Sequence, residues 1–186
     1  MGSLTLTGLK PGETTITFKA GGGATASVPV RVRERNLIAY GPAVQHGLTF
    51  TIDPDGGLHV AGSIAGWLMV QWQMDPTGLA GRTLTLTPGM FPKRFDCYIA
   101  MIDSAGAVTR KAGTFTAPDD LASIGFVFRH TNTATDPDSV DATIRPMLNL
   151  GGTAFDWERP ATVDAPTIST YGDEPAPLTL EGPTND

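Results

Sequence analysis

Apolar and polar residues alternate with a period of two along most of this chain, the spacing of strands that bury one face. In Gly66–Met74, Leu68, Val70, Trp72 and Met74 share one side, while Trp67, Met69, Gln71 and Gln73 take the other. Phe95–Asp103 repeats the arrangement, with Phe95, Cys97, Ile99 and Met101 inward and Asp96, Tyr98 and Ala100 outward. Ser123–Arg129 points Ile124, Phe126 and Phe128 inward and Arg129 outward. Leu48, Phe50 and Ile52 match Leu58 and Val60 across Asp53-Pro54-Asp55-Gly56-Gly57, a hairpin signal because Asp-Gly accepts the positive φ such turns need. Thr83–Thr87 and Val108–Thr116 read as further strands, Leu79–Gly81 has room for a single helical turn, and Pro118–Asp120 reads as a loop or a single helical turn. Val140, Ala142 and Ile144 alternate up to Pro146, which removes a ladder donor and makes the strand bulge, switch sheets or run along an edge. Leu148 and Leu150 then resume the pattern, and Phe155 and Trp157 supply a last aromatic pair before Pro160. No helix of ordinary length is expected. The fold class is all-β, a β-sandwich.

The chain has 186 residues, enough for one ample core or one domain and part of another. Its first 35 residues read as strand, Pro11-Gly12 turn, strand, Gly21-Gly22-Gly23 turn and a third strand marked by Val28, Val30 and Val32. Arg31, Arg33 and Arg35 form a basic strand face leading to a boundary at Asn36. From 161 to 186 the composition turns to Pro, Asp, Glu and Thr, the mark of a mobile or extended tail that orders by docking on a neighbour.

Two resemblances follow from these segments. Thr7-Gly8-Leu9-Lys10-Pro11-Gly12-Glu13-Thr14-Thr15-Ile16-Thr17 resembles the last half of a bacterial Ig-like domain of the group 2 type. A full domain of that kind has about seven strands. With three, residues 1–35 are a truncated unit or a small sheet that leans on the next domain or on another subunit. Pro146-Met147-Leu148-Asn149, the turn Gly151-Gly152-Thr153-Ala154 and Phe155-Asp156-Trp157-Glu158 resemble the end of jelly-roll modules in phage and prophage tail proteins, which are similar to carbohydrate-binding modules. Asn36-Leu37-Ile38, the Leu48–Val60 hairpin and Ala112-Gly113-Thr114-Phe115-Thr116-Ala117-Pro118 fit the same family. The resemblance covers residues 36–160 and implies a jelly roll between a partial Ig-like segment and an extended tail. It also implies a virion location, with homo-oligomeric contacts to other virion subunits; a bacterial cell-surface or secreted location is the alternative.

Charge and motifs narrow the function. Net charge −6 leaves no Lys/Arg excess to release counterions from a phosphate backbone, so nucleic acid is not expected. The longest apolar run, Ile64–Val70, is far short of the ~20 residues that span a bilayer. The start carries no basic-then-apolar leader. Cys97 is the one cysteine and reads as a packed thiol. His46, His59 and His130 lack ligand spacing, and no nucleophile elbow, zinc-protease pair or phosphate loop occurs, so neither catalysis nor a cofactor is expected. Asp136, Asp138 and Asp141 offer a structural calcium site, against which a solvated acidic loop is preferred.

What remains is a binding face. Sugars present an apolar C–H side and a rim of hydroxyls, which an aromatic with amide, acid and guanidinium groups can meet. Trp67, Gln71, Gln73, Asp96, Tyr98, Arg129 and Arg145 all fall on the non-core side of their strands. They are the candidate ligand-binding residues, with a host cell-surface glycan as partner. The competing reading packs Trp67 and Tyr98 under a loop or neighbouring subunit and makes the chain a structural or decorating virion protein.

Overall fold

The structure, a computed structural model, describes residues 12–32, 35–131 and 137–168. These carry fourteen strands and no helix, so the protein is all-β. Two compact units divide the chain, Met1–Arg35 and Asn36–Asp186.

In the first unit β1 (Gly12–Lys19) and β2 (Thr25–Val32) form an antiparallel hairpin over eight rungs, from Gly12↔Val32 to Lys19↔Thr25. Residues paired across an antiparallel ladder share a face, so Ile16, Phe18, Ala26, Val28 and Val30 lie on one side. Phe18 and Val28 are 44% and 49% exposed there. The strand expected around Leu4–Thr7 lies outside the described residues.

The second unit builds one core between antiparallel sheets in a sandwich-like arrangement. One sheet orders β3 (Ala43–Gln45), β4 (Leu48–Ile52), β5 (Leu58–Ile64) and β12 (Asp138–Ile144). A second runs β10 (Gly113–Thr116), β7 (Thr83–Thr87), β13 (Met147–Leu150). The third runs β14 (Thr167–Ile168), β6 (Leu68–Met74), β11 (Leu121–His130), β8 (Phe95–Asp103), β9 (Val108–Lys111). The inward residues of all three sheets belong to a single buried cluster. Its centre is aromatic: Phe50 meets Trp72 and Phe128 edge-on at 5.4 and 5.3 Å, and Trp72 stacks on Phe126 at 5.9 Å. Such rings each bury a large apolar area and gain from the edge-to-face geometry.

Pro146 sits at the sheet switch. β12 pairs with β5 up to Ile144, and β13 pairs with β7 from Met147. The break is held by Asn36, 2% exposed, whose amide donates to the carbonyls of Pro146 (3.1 Å) and Glu158 (2.7 Å). Its oxygen accepts from the N–H groups of Ile38 and Leu148, both at 3.2 Å. Three of these four bonds tie the start of this unit to the segment from Pro146 to Glu158.

Three segments depart from the expectations drawn from periodicity. Val108–Thr116 is two strands: β9 pairs with β8 and β10 with β7, and Gly113, at φ +67°, lets the chain cross between sheets. Leu79–Gly81 is a turn without a helical turn. Phe155–Glu158 forms no strand, and Phe155 is exposed. The first residues of the acidic tail return to the same unit. Thr162 bridges Ala39, the Ala165 N–H donates to the Tyr40 carbonyl (3.1 Å), and β14 pairs with Gln71 and Trp72 of β6. The rest of the tail lies outside the described residues.

Candidate functional site

The outer face of the five-stranded sheet gathers six of the seven candidate residues. Its cross-strand register sets them in rows. One row runs Met69, Arg129, Asp96; the next Gln71, Val127, Tyr98; a third Gln73, Gly125, Ala100, Arg110. Trp67 lies just before β6, half-buried, and packs on a small apolar cluster of Met69, Tyr98, Ala100 and Val127. Alternation on β6, β8 and β11 puts these groups here because the even positions of β6 and β11 and the odd positions of β8 are committed to the core.

The face divides into a closed floor and an open rim. Tyr98 is 7% and Gln71 2% exposed, so neither presents its side chain broadly to solvent. Tyr98 lies under the Arg129 guanidinium, 5.3 Å from ring centre, and its hydroxyl donates to the Met69 sulfur. Burial raises its pKa, opposed by the positive charges of Arg110 and Arg129, with a smaller raising effect of Asp96. The hydroxyl therefore stays a protonated donor across ordinary pH. Gln71 lies over Gly125, where an added Cβ would meet its amide nitrogen at 2.5 Å, so only glycine leaves space for that amide.

Arg129 and Asp96 form the principal charged contact of the rim. The guanidinium Nε donates to Asp96 Oδ1 at 2.8 Å, and Nη2 donates to Oδ2 at 2.5 Å, a fork that fits a carboxylate. This hydrogen bonding raises the Arg129 pKa, against the smaller opposing effect of burial. Both side chains keep solvent access, at 35% and 45%. Gln73, half-buried, donates to the Ser123 hydroxyl at 3.2 Å.

Arg145 stands apart from the other six. Its Nε and Nη2 donate to Asp55 Oδ2 at 3.1 and 2.7 Å, and its guanidinium lies 5.6 Å from the Trp157 ring centre. The Gly57 N–H and Arg145 together lower the Asp55 pKa. Beside them the fully buried Tyr40 donates its hydroxyl to the Gly56 carbonyl at 2.7 Å, and burial, then Asp55, raises its pKa. This group clamps the Asp53–Gly57 turn to the segment around Trp157.

Two of the three histidines are also occupied. His130 is buried, with Nδ1 2.6 Å from the Gly66 carbonyl and Nε2 2.8 Å from Asp138, which Arg94 also grips at 2.9 and 3.0 Å. Of the carboxylates weighed for calcium, Asp138 is held in this way, Asp141 lies 3.4 Å from His59 Nε2, and Asp136 falls outside the described residues. Thr143 donates to Asp53 at 2.6 Å while His59 Nδ1 stands 3.3 Å from its oxygen, so the hydroxyl proton is directed at the carboxylate.

Arg110 is the rim residue that periodicity alone passed over. Once Val108–Lys111 is known to pair with β8, Ala100↔Arg110 places it on the outer face; with Val108–Thr116 taken as one strand there was no register to do so. No protein-family model, curated protein or solved structure matches the chain.

Proposed function

We propose that Asn36–Ile168 is a non-catalytic jelly-roll module that attaches a phage tail to glycans on the host surface through the outer face of its five-stranded sheet. The observation that carries the reading is that half-buried Trp67 packs on the cluster holding Met69 and Tyr98, on the face where Arg129 and Asp96 pair in the Met69 row. An aromatic edge beside an oriented guanidinium–carboxylate pair can take the apolar side of a sugar ring and its hydroxyls together. Tyr98 and Gln71 act as the floor that holds Arg129 in place, and Arg145 is outside the site. The resemblance of Pro146–Glu158 to phage tail modules supports the virion setting. One aromatic contact contributes about 1 kcal/mol, so useful affinity comes from several copies on one particle.

A glycan array read with wild type and Trp67→Ala tests this. Binding that Trp67→Ala weakens several-fold, while the folded state is retained, is the expected result. An array without any bound glycan contradicts it.

A second reading, attachment through subunit contacts alone, is favoured by the exposed apolar side of the β1–β2 hairpin. Two-stranded sheets are marginal in water by themselves. On that reading the full chain is oligomeric in light scattering, Phe18→Ser makes it monomeric, and no glycan binds.

A further inference from the structure

We infer that pH regulates the Trp67 face through His130, whose doubly protonated ring holds the Gly66–Trp67 peptide in place. As control of attachment this rests on the glycan-binding reading above; the coupling of ring to peptide stands on hydrogen-bond geometry.

His130 ends β11 and is fully buried. Both of its ring nitrogens meet oxygens that accept. Nδ1 lies 2.6 Å from the Gly66 carbonyl, and Nε2 lies 2.8 Å from Asp138, a carboxylate whose two oxygens also accept from Arg94. A neutral imidazole has one N–H and one lone pair, so it serves one of these oxygens and turns the lone pair on the other. Both bonds form only when the ring carries two protons. The Phe95 ring, its centre 4.5 Å from that of His130, favours the charged form further.

When the ring gives up a proton, charge decides which bond survives. A hydrogen bond to a carboxylate is about twice as strong as one between neutral groups, so the proton stays on Nε2. The Nδ1 lone pair then faces the Gly66 carbonyl, and that peptide must move. It is the peptide that carries the Trp67 nitrogen. Ala65–Trp67 lies between β5 and β6, outside both ladders, and includes Gly66 at φ +87°, a residue free to take other conformations. Trp67 itself packs on Met69, Tyr98, Ala100 and Val127. Two protons on His130 therefore fix this seat, and it loosens as pH rises.

The other charges near the ring are placed elsewhere. Among the described residues, Lys93 beside Arg94 is exposed, and Arg129 and Asp96 pair on the opposite face of the sheet. Cys97 lies two residues past Phe95 on the core side of β8, and β6 brings Leu68 opposite His130.

The test follows nitrogen-15 signals of the full chain, without ligand, from about pH 5 to about pH 9 in wild type, His130→Gln and Asp138→Asn. In wild type the His130 ring should pass from two protonated nitrogens to one, with Nε2 keeping its proton, and the Trp67 amide and indole signals should shift with the same midpoint. His130→Gln should abolish that shift. Asp138→Asn, which takes the carboxylate from Nε2, should move it to lower pH. The glycan array, read with wild type at about pH 5.5 and about pH 8.5, should show binding roughly two- to fivefold weaker at the higher pH, up to the worth of one hydrogen bond, and His130→Gln should show no such difference. A His130 ring with one unchanging proton count, Trp67 signals that stay still while the ring titrates, or a shift that persists in His130→Gln overturns the coupling. If His130→Gln fails to fold, the wild-type titration alone decides. Equal array binding at both pH values overturns the regulation and leaves the glycan reading standing. An empty array overturns the glycan reading, and the shared midpoint still decides the coupling.

Discussion

Replacing Asn36 by alanine removes a buried side chain that spans the break at Pro146. Its carboxamide makes four hydrogen bonds, at 3.1, 2.7, 3.2 and 3.2 Å, and is 2% exposed. Truncation orphans the N–H groups of Ile38 and Leu148 and takes a donor from the carbonyls of Pro146 and Glu158. An unpaired buried polar group costs about 1–3 kcal/mol, and the two N–H groups are the harder to re-satisfy, so the total loss is about 2–5 kcal/mol. With a urea slope of about 2 kcal/mol/M for a unit of this size, the unfolding midpoint falls by roughly 1–2.5 M. Asn36→Asp sharpens the test. It preserves shape yet turns acceptors toward two carbonyls and buries a charge, so it is expected to destabilise at least as much as alanine. Thr17→Ala on the exposed hairpin serves as a control that moves the midpoint of this unit little. An Asn36→Ala loss below about 0.5 kcal/mol, the range of ordinary surface substitutions, or a tolerated Asn36→Asp, refutes the reasoning.

Other consequences are as direct. Gly62 has φ +136° and an added Cβ there would overlap the Gly47 carbonyl oxygen, so Gly62→Ala is expected to destabilise by about 2 kcal/mol or more in the same urea assay. Cys97 is buried, and desolvation followed by the Asp96 charge raises its thiol pKa; since the thiolate is the reactive form, Ellman's reagent should modify it only as the protein unfolds. Asp55 has a folded pKa below its ordinary 3.8, so its contribution is present above that value and is lost as pH falls through the folded pKa. The Tm difference between wild type and Asp55→Asn, positive at neutral pH, should therefore shrink below about pH 4; a constant difference contradicts the pairing.

Periodicity was a sound guide where one strand face meets a deep core. On β6, Trp72 is fully buried at the centre of the aromatic cluster and Trp67 is half-buried on the other side, the order that alternation implies. It was also sound for grouping Trp67, Gln71, Gln73, Asp96, Tyr98 and Arg129, because adjacent antiparallel strands bring outward positions into shared rows. It could not foresee how closed that face is. Tyr98 is an outward residue, yet Arg129 lies over it, and long guanidinium side chains cover apolar surface without leaving their own strand's face. Nor does alternation count pairing partners. Val108–Lys111 and Gly113–Thr116 have continuous strand character, and only tertiary pairing sends them to different sheets. The Phe155–Trp157 spacing mimics a strand, but Trp157 there sits beside Arg145 in an irregular segment. Asn36 gave no local sign of its role because three of its four partners, Pro146, Leu148 and Glu158, lie more than a hundred positions away.

The chain has three tryptophans, at 67, 72 and 157, and their indole N–H signals provide the most direct test of the binding face. Trp72 is sealed in the core and Trp157 lies with Arg145, away from the outer face of the five-stranded sheet. In a proton–nitrogen NMR titration with a glycan that binds, the Trp67 indole should shift, with the other two unmoved. A shift confined to Trp157, or three unmoved indoles with the glycan demonstrably bound, would contradict the account.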